Sequence, residues 1–216
     1  TVPKSGDGLL QRFEQCFEQC FRKCFQQSPG QPSPAVPSVL ITALPQLSTS
    51  SNYLPNVELE ARSVQVAYGG ATHAEVLLNI SFAQLDEALA GREVWCFAGH
   101  GDAVLCREKV PAFVSEGVLE SVSITALCET VRRHVQLGTL KLIVLTGCKT
   151  LQLGIALRRV GLVEAVSCWE TVLEDEAGKI FGEAFARARA RGETPQQAQD
   201  AACQAVLVPT ELSRLD

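Results

Sequence analysis

From residue 39 onward, five apolar runs of strand length alternate with stretches of helical pattern: VLITAL at 39–44, EVLLNI at 75–80, EVWCFA at 93–98, KLIVLT at 141–146 and EAVSC at 164–168. Strands apolar at nearly every position must be covered on both faces, and crossover helices between parallel strands do that. The intervening segments fit this role. Residues 57–68 close on Gly69 and Gly70, 82–90 and 124–137 follow, and 151–160 closes on Gly161. Ser81 with Gln84 predicts a capping box, and Thr194, Pro195 and Gln197 predict another with proline at the first helical position. Residues 173–191 start on Glu174, Asp175 and Glu176 and end on arginines before Gly192, as a helix macrodipole favours. The expected fold is α/β, an open and mainly parallel sheet with helices on both faces.

The segment before this pattern differs. Residues 13–28 read FEQCFEQCFRKCFQQS, which sets Phe13, Phe17, Phe21 and Phe25 four residues apart with Cys16, Cys20 and Cys24 beside them. That spacing predicts a helix over 1–27 whose aromatic face docks on the body or on a partner. Three thiols on one helix cannot close a tetrahedral metal site. Residues 28–38, SPGQPSPAVPS, carry four prolines and read as a linker, so the domain proper is expected to run over 39–216. Twenty-four acidic and 19 basic residues give a net charge of −5, and no basic cluster marks a nucleic-acid surface. With no apolar run of membrane-spanning length and no secretory leader, the chain is expected to be cytoplasmic and not to engage a membrane. The absence of methionine, even at position 1, leads us to expect a processed product or a piece of a longer protein. Nine cysteines with no CxxC pair suggest reduced thiols.

In an open parallel sheet, ligands bind beyond the carboxyl ends of the strands. After EVWCFA come Gly99, His100, Gly101 and Asp102; after KLIVLT come Gly147, Cys148, Lys149 and Thr150. A histidine and a cysteine thus leave the sheet at one edge, flanked by glycines that permit tight turns and close approach of a substrate. A thiol within reach of an imidazole suits nucleophilic catalysis. The plainer alternative makes His100 a polar loop residue and Cys148 a small buried hydrophobe. TGCKT lacks the glycine spacing of a phosphate loop. His73 and His134 are expected on the solvated surface, and Cys96, Cys106, Cys128, Cys168 and Cys203 in packing roles. No metal or cofactor is expected.

The blocks FAGHGD at 97–102, IVLTGCKT at 143–150 and AVSCWETVLEDEAGKIFGEAF at 165–185 resemble, in order and spacing, those of the CHAT family, caspase-like proteins related to caspases, metacaspases and separases. The resemblance spans residues 39–206. It implies a caspase-like fold and a cysteine peptidase acting on a polypeptide substrate. His100 would be the general base and Cys148 the nucleophile, with the backbone amides of Gly101 and Cys148 forming the oxyanion hole. It also implies a specificity carboxylate that selects a basic residue before the scissile bond: Asp175, with Glu174 or Glu176 as substitutes. The competing reading leaves all three acids to the helix dipole. Two features depart from the family pattern: Lys149, expected to face solvent, stands where an acid is usual, and two extra residues follow Trp169. They keep open a catalytically silent CHAT-like interaction module; a small-molecule hydrolase or transferase using the same thiol is a third reading. The Phe-striped helix would then serve a regulatory or repeat-containing partner.

Overall fold

The computed structural model describes residues 37–45, 54–100, 109–115, 117–160, 163–170 and 173–212. The Phe-striped segment and nearly all of the proline-rich linker lie outside the described residues, as do Gly101, Asp102 and Cys106.

Strands β1 (Val39–Ala43), β2 (Ala74–Leu78), β3 (Val94–Ala98), β6 (Leu142–Thr146) and β7 (Ala165–Ser167) form one parallel sheet in the order β2-β1-β3-β6-β7. Helix α1 (Pro55–Ala67) links β1 to β2, α2 (Phe82–Ala88) links β2 to β3, α3 (Ile124–Gln136) precedes β6, and α4 (Leu151–Arg159) links β6 to β7. Helices α5 (Asp175–Ala190) and α6 (Pro195–Leu212) complete the described chain. The α/β architecture expected from the sequence is therefore the one observed, and it is consistent with a caspase-like open sheet.

Strand alternation explains why the runs are apolar at nearly every position. Trp95, Phe97, Ile143 and Leu145 point into one core with Leu85, Leu127, Val131 and Leu157 of α2, α3 and α4. Val94, Cys96, Ala98, Leu142 and Val144 point into the other with Val57, Ala61, Phe181, Phe185 and Ala202 of α1, α5 and α6. Each buried large side chain contributes on the order of 1.5–3 kcal/mol, so both faces hold the sheet. Trp95 donates its indole N–H to Thr42 Oγ1 at 2.9 Å, satisfying the polar edge of a buried ring. Gly154 lets α4 sit tightly on the sheet, since a Cβ there would lie 2.5 Å from Cys168 Sγ.

Both capping boxes are present. Gln84 N–H donates to Ser81 Oγ while the Gln84 side chain accepts from Ser81 N–H, and Gln197 and Thr194 exchange the same pair of bonds. Two expectations need correction. The segment before α3, for which no strand was expected, forms an antiparallel ribbon of β4 (Lys109–Ser115) and β5 (Val118–Ser123). Its signal is weak because the register shifts between Pro111 and Phe113, and much of β5 faces solvent. His134 is 6% exposed rather than solvated; it joins the inward stripe of Leu127, Val131 and Val135 on α3 and pairs through Nε2 with Asp86 Oδ1 at 2.9 Å. His73 is exposed, as expected. Among the described residues, no helix is long and apolar enough to cross a membrane.

Candidate active site

The site begins with strand register. Ala98 at the end of β3 pairs with Thr146 at the end of β6, so His100 and Cys148 each stand two residues beyond one matched pair. Neighbouring strands lie about 4.8 Å apart, which brings a histidine and a thiol to the same carboxyl edge. Gly99 between Ala98 and His100 has φ +146, and a Cβ there would lie 2.8 Å from Leu44 Cβ beyond β1; both facts call for glycine.

Cys148 sits in the turn that enters α4. Thr150, fully buried, donates from Oγ1 to Gly147 O at 3.2 Å and accepts from Trp169 N–H at 2.9 Å, while Leu151 N–H donates to Trp169 O at 2.8 Å. These bonds tie the Cys148 turn to the end of β7. Lys149 adopts φ +50, a left-handed conformation that is costly for a residue with a side chain. Such outliers cluster at active sites, ligand clamps and switch regions. Lys149 as a whole residue is half-buried.

The thiol is half-buried and bracketed by the backbone of one residue: Leu173 N–H donates to Cys148 Sγ at 3.3 Å, and the thiol lies 3.5 Å from Leu173 O, as its donor. Leu173 immediately precedes the acids of α5. Of these, Glu174 is exposed at the N-cap and Glu176, also exposed, pairs with Lys179 at 3.3 Å. Asp175 Oδ2 accepts from Asn56 N–H at 3.0 Å. Helix α1 has Leu54 at its N-cap and no side-chain cap of its own, so Asp175 supplies the missing acceptor from 119 residues away. Of the expected oxyanion donors, the Cys148 amide belongs to the turn just described, and Gly101 lies outside the described residues.

Two carboxyl groups that the sequence reading passed over border this edge. Glu170 follows Trp169, and its Oε2 is buried with no hydrogen-bond partner among the described residues. Glu60 of α1 is 4% exposed, and Thr146 Oγ1 bonds to its Oε1. Burial pushes the Glu60 carboxyl up to about 8; the Thr146 hydrogen bond opposes the shift and Asp175 adds to it. The signal for Glu60 was in the sequence, since it falls on the apolar stripe of Val57, Ala61 and Val64. Among the described residues, no group of three or more His, Cys, Asp and Glu side chains is gathered as a metal would require. No protein-family model and no curated protein matches the chain.

Proposed function

We propose that the chain is a cysteine endopeptidase of the caspase-like, CHAT-related class, with Cys148 as nucleophile and His100 as general acid and base. The observation that carries this reading is the shared register, which puts both residues two positions past one strand pair. In the reaction, His100 takes the Cys148 proton and the thiolate adds to the peptide carbonyl. The C–N bond then breaks as His100 protonates the leaving amine. Water, deprotonated by His100, hydrolyses the thioester and frees the acid product. Backbone amides at Cys148 and Gly101 would receive the oxyanion.

We assign cleavage after a basic residue, and Glu170 supports this better than Asp175. Its buried carboxylate oxygen, without a hydrogen-bond partner among the described residues, belongs to the residue after Trp169, at the carboxyl end of the sheet beside the Cys148 turn, whereas the Asp175 carboxylate is engaged with α1. A carboxylate in a sheltered pocket pairs with arginine or lysine and repels an acidic side chain. The free thiols of Cys96, Cys128 and Cys148 fit a reducing, cytoplasmic setting. One observation favours a silent interaction module instead: the backbone N–H and C=O of Leu173 already engage the Cys148 sulfur. A peptide electrophile ending in arginine or lysine decides between them. The peptidase reading expects an adduct at Cys148, lost in Cys148→Ala and strongly slowed in His100→Ala. No adduct under any condition selects the silent module.

A further inference from the structure

We propose that Glu60 is a positioning residue for the Cys148 and His100 strand ends: a neutral carboxylic acid whose proton completes a relay from Glu60 through Thr146 to the Phe97 carbonyl, so that losing this proton loosens the Cys148 turn. Its catalytic consequence rests on the dyad reading; the relay itself does not.

Proton counting at Thr146 carries the argument. Its hydroxyl has one hydrogen and lies against two oxygens, Glu60 Oε1 and Phe97 O, the latter at 3.0 Å. Were Glu60 a carboxylate, both neighbours would be acceptors only, and one contact would set lone pair against lone pair. A protonated Glu60 resolves this: it donates to Thr146 Oγ1, and Thr146 donates to Phe97 O. Each of these buried contacts then has a donor, as burial demands.

The surroundings favour the neutral form. Helix α5 presents Gly178 and Gly182 to Glu60; a Cβ at Gly182 would lie 2.7 Å from Oε1, and one at Gly178 would lie 3.6 Å from Oε2. The two glycines thus form a cradle that admits the carboxyl group. The groups facing it are Asp175 of α5, the Cys96 thiol of β3 and Thr146 of β6, and none of these is a cation. Lys179, on the next turn of α5, pairs with Glu176 instead. An anion here would lie in a dry site beside a second carboxylate.

The relay also stands where it can act on the dyad. Thr146 is two residues before Cys148, and Phe97 is three before His100, so the bond from Thr146 to Phe97 ties the two strand ends by a side chain. The backbone bond beyond it is long, with Gly99 N–H 3.5 Å from Thr146 O. Helix α5 and the residues just before it close the circuit. Leu173 holds the Cys148 sulfur, Asp175 holds the start of α1, and the two glycines hold Glu60.

The test uses the whole chain and two readouts. The first is the ¹³C signal of the Glu60 carboxyl, assigned by its loss in Glu60→Gln, followed against pH. The second is iodoacetamide alkylation of Cys148, read residue by residue by mass spectrometry over the same range. The proposal expects the Glu60 signal to titrate near the value of about 8. The wild-type Cys148 alkylation profile should carry a several-fold step at that pH, absent in Glu60→Gln. Thr146→Val, which cuts the relay at its middle, should abolish the same step. A Glu60 signal titrating with exposed glutamates, or superimposable Cys148 profiles in wild type and Glu60→Gln, overturns the proposal. Failure of every variant to cleave peptides would count against the peptidase reading alone, because neither readout depends on turnover.

Discussion

Replacing Glu60 with glutamine should make the protein more stable at neutral pH, although the substitution lies in the core. The sign follows from linkage. The folded-state pKa of Glu60 is raised from 4.5 to about 8, so between these values the native state binds a proton that the unfolded chain has released. The stability that Glu60 contributes is thus fully present below pH 4.5 and is lost as pH rises to about 8. The slope is about 1.4 kcal/mol per pH unit, which amounts to about 3 kcal/mol between pH 4.5 and pH 7 and about 5 kcal/mol across the whole window. Glutamine has nearly the same shape, carries no proton linkage, and its amide still donates to Thr146 while Thr146 donates to Phe97 O. Urea unfolding at a series of pH values measures the difference. The two proteins should be close in stability near pH 5, and Glu60→Gln should gain steadily up to about pH 8. A gap that stays constant over this range would mean that Glu60 titrates alike in both states, and the burial argument would be wrong.

Gly154→Ala should destabilise by about 1–3 kcal/mol in urea unfolding, because the new methyl meets Cys168 Sγ 2.5 Å away and Cys168 Cβ 2.8 Å away, so α4 must shift off the sheet; an unchanged midpoint would show that α4 yields freely. Asp86 is hydrogen-bonded to His134 and also to Arg133, in that order of effect, and these hold its carboxyl below the ordinary 3.8. Its contribution is present above that value and lost as pH falls further, so Asp86→Asn should flatten the acid limb of the stability curve below about pH 4, as read by thermal unfolding. In cleavage profiling across the residue before the scissile bond, Glu170→Gln should weaken a preference for arginine or lysine. Asp175→Asn should instead leave that preference intact and cost about 0.5–2 kcal/mol of stability as the α1 cap weakens.

The sequence by itself determined the layered α/β fold, since strands apolar at nearly every position can be stable only when covered twice, and the helix caps at Ser81 and Thr194 are local chemistry. It also marked His100 and Cys148, because each follows an apolar run and a glycine. What it could not determine was anything that depends on which elements meet. Adjacency of β3 and β6, and the register that matches Ala98 with Thr146, come from the strand order. The destination of Asp175 was equally hidden: three acids before a helix read as dipole partners or pocket residues, and only the packing of α5 on α1 turns one of them into a cap for a helix that starts at a proline. His134 and Glu60 teach the same point. Each is a polar residue on an apolar stripe, and whether such a residue bends to solvent or stays inside is settled by the partner across the interface: Asp86 for one, and Thr146 with the two glycines of α5 for the other. A carboxyl group in a dry cradle keeps its proton because nothing there stabilises the charge, and that environment is made by four separate elements brought together only in the folded chain.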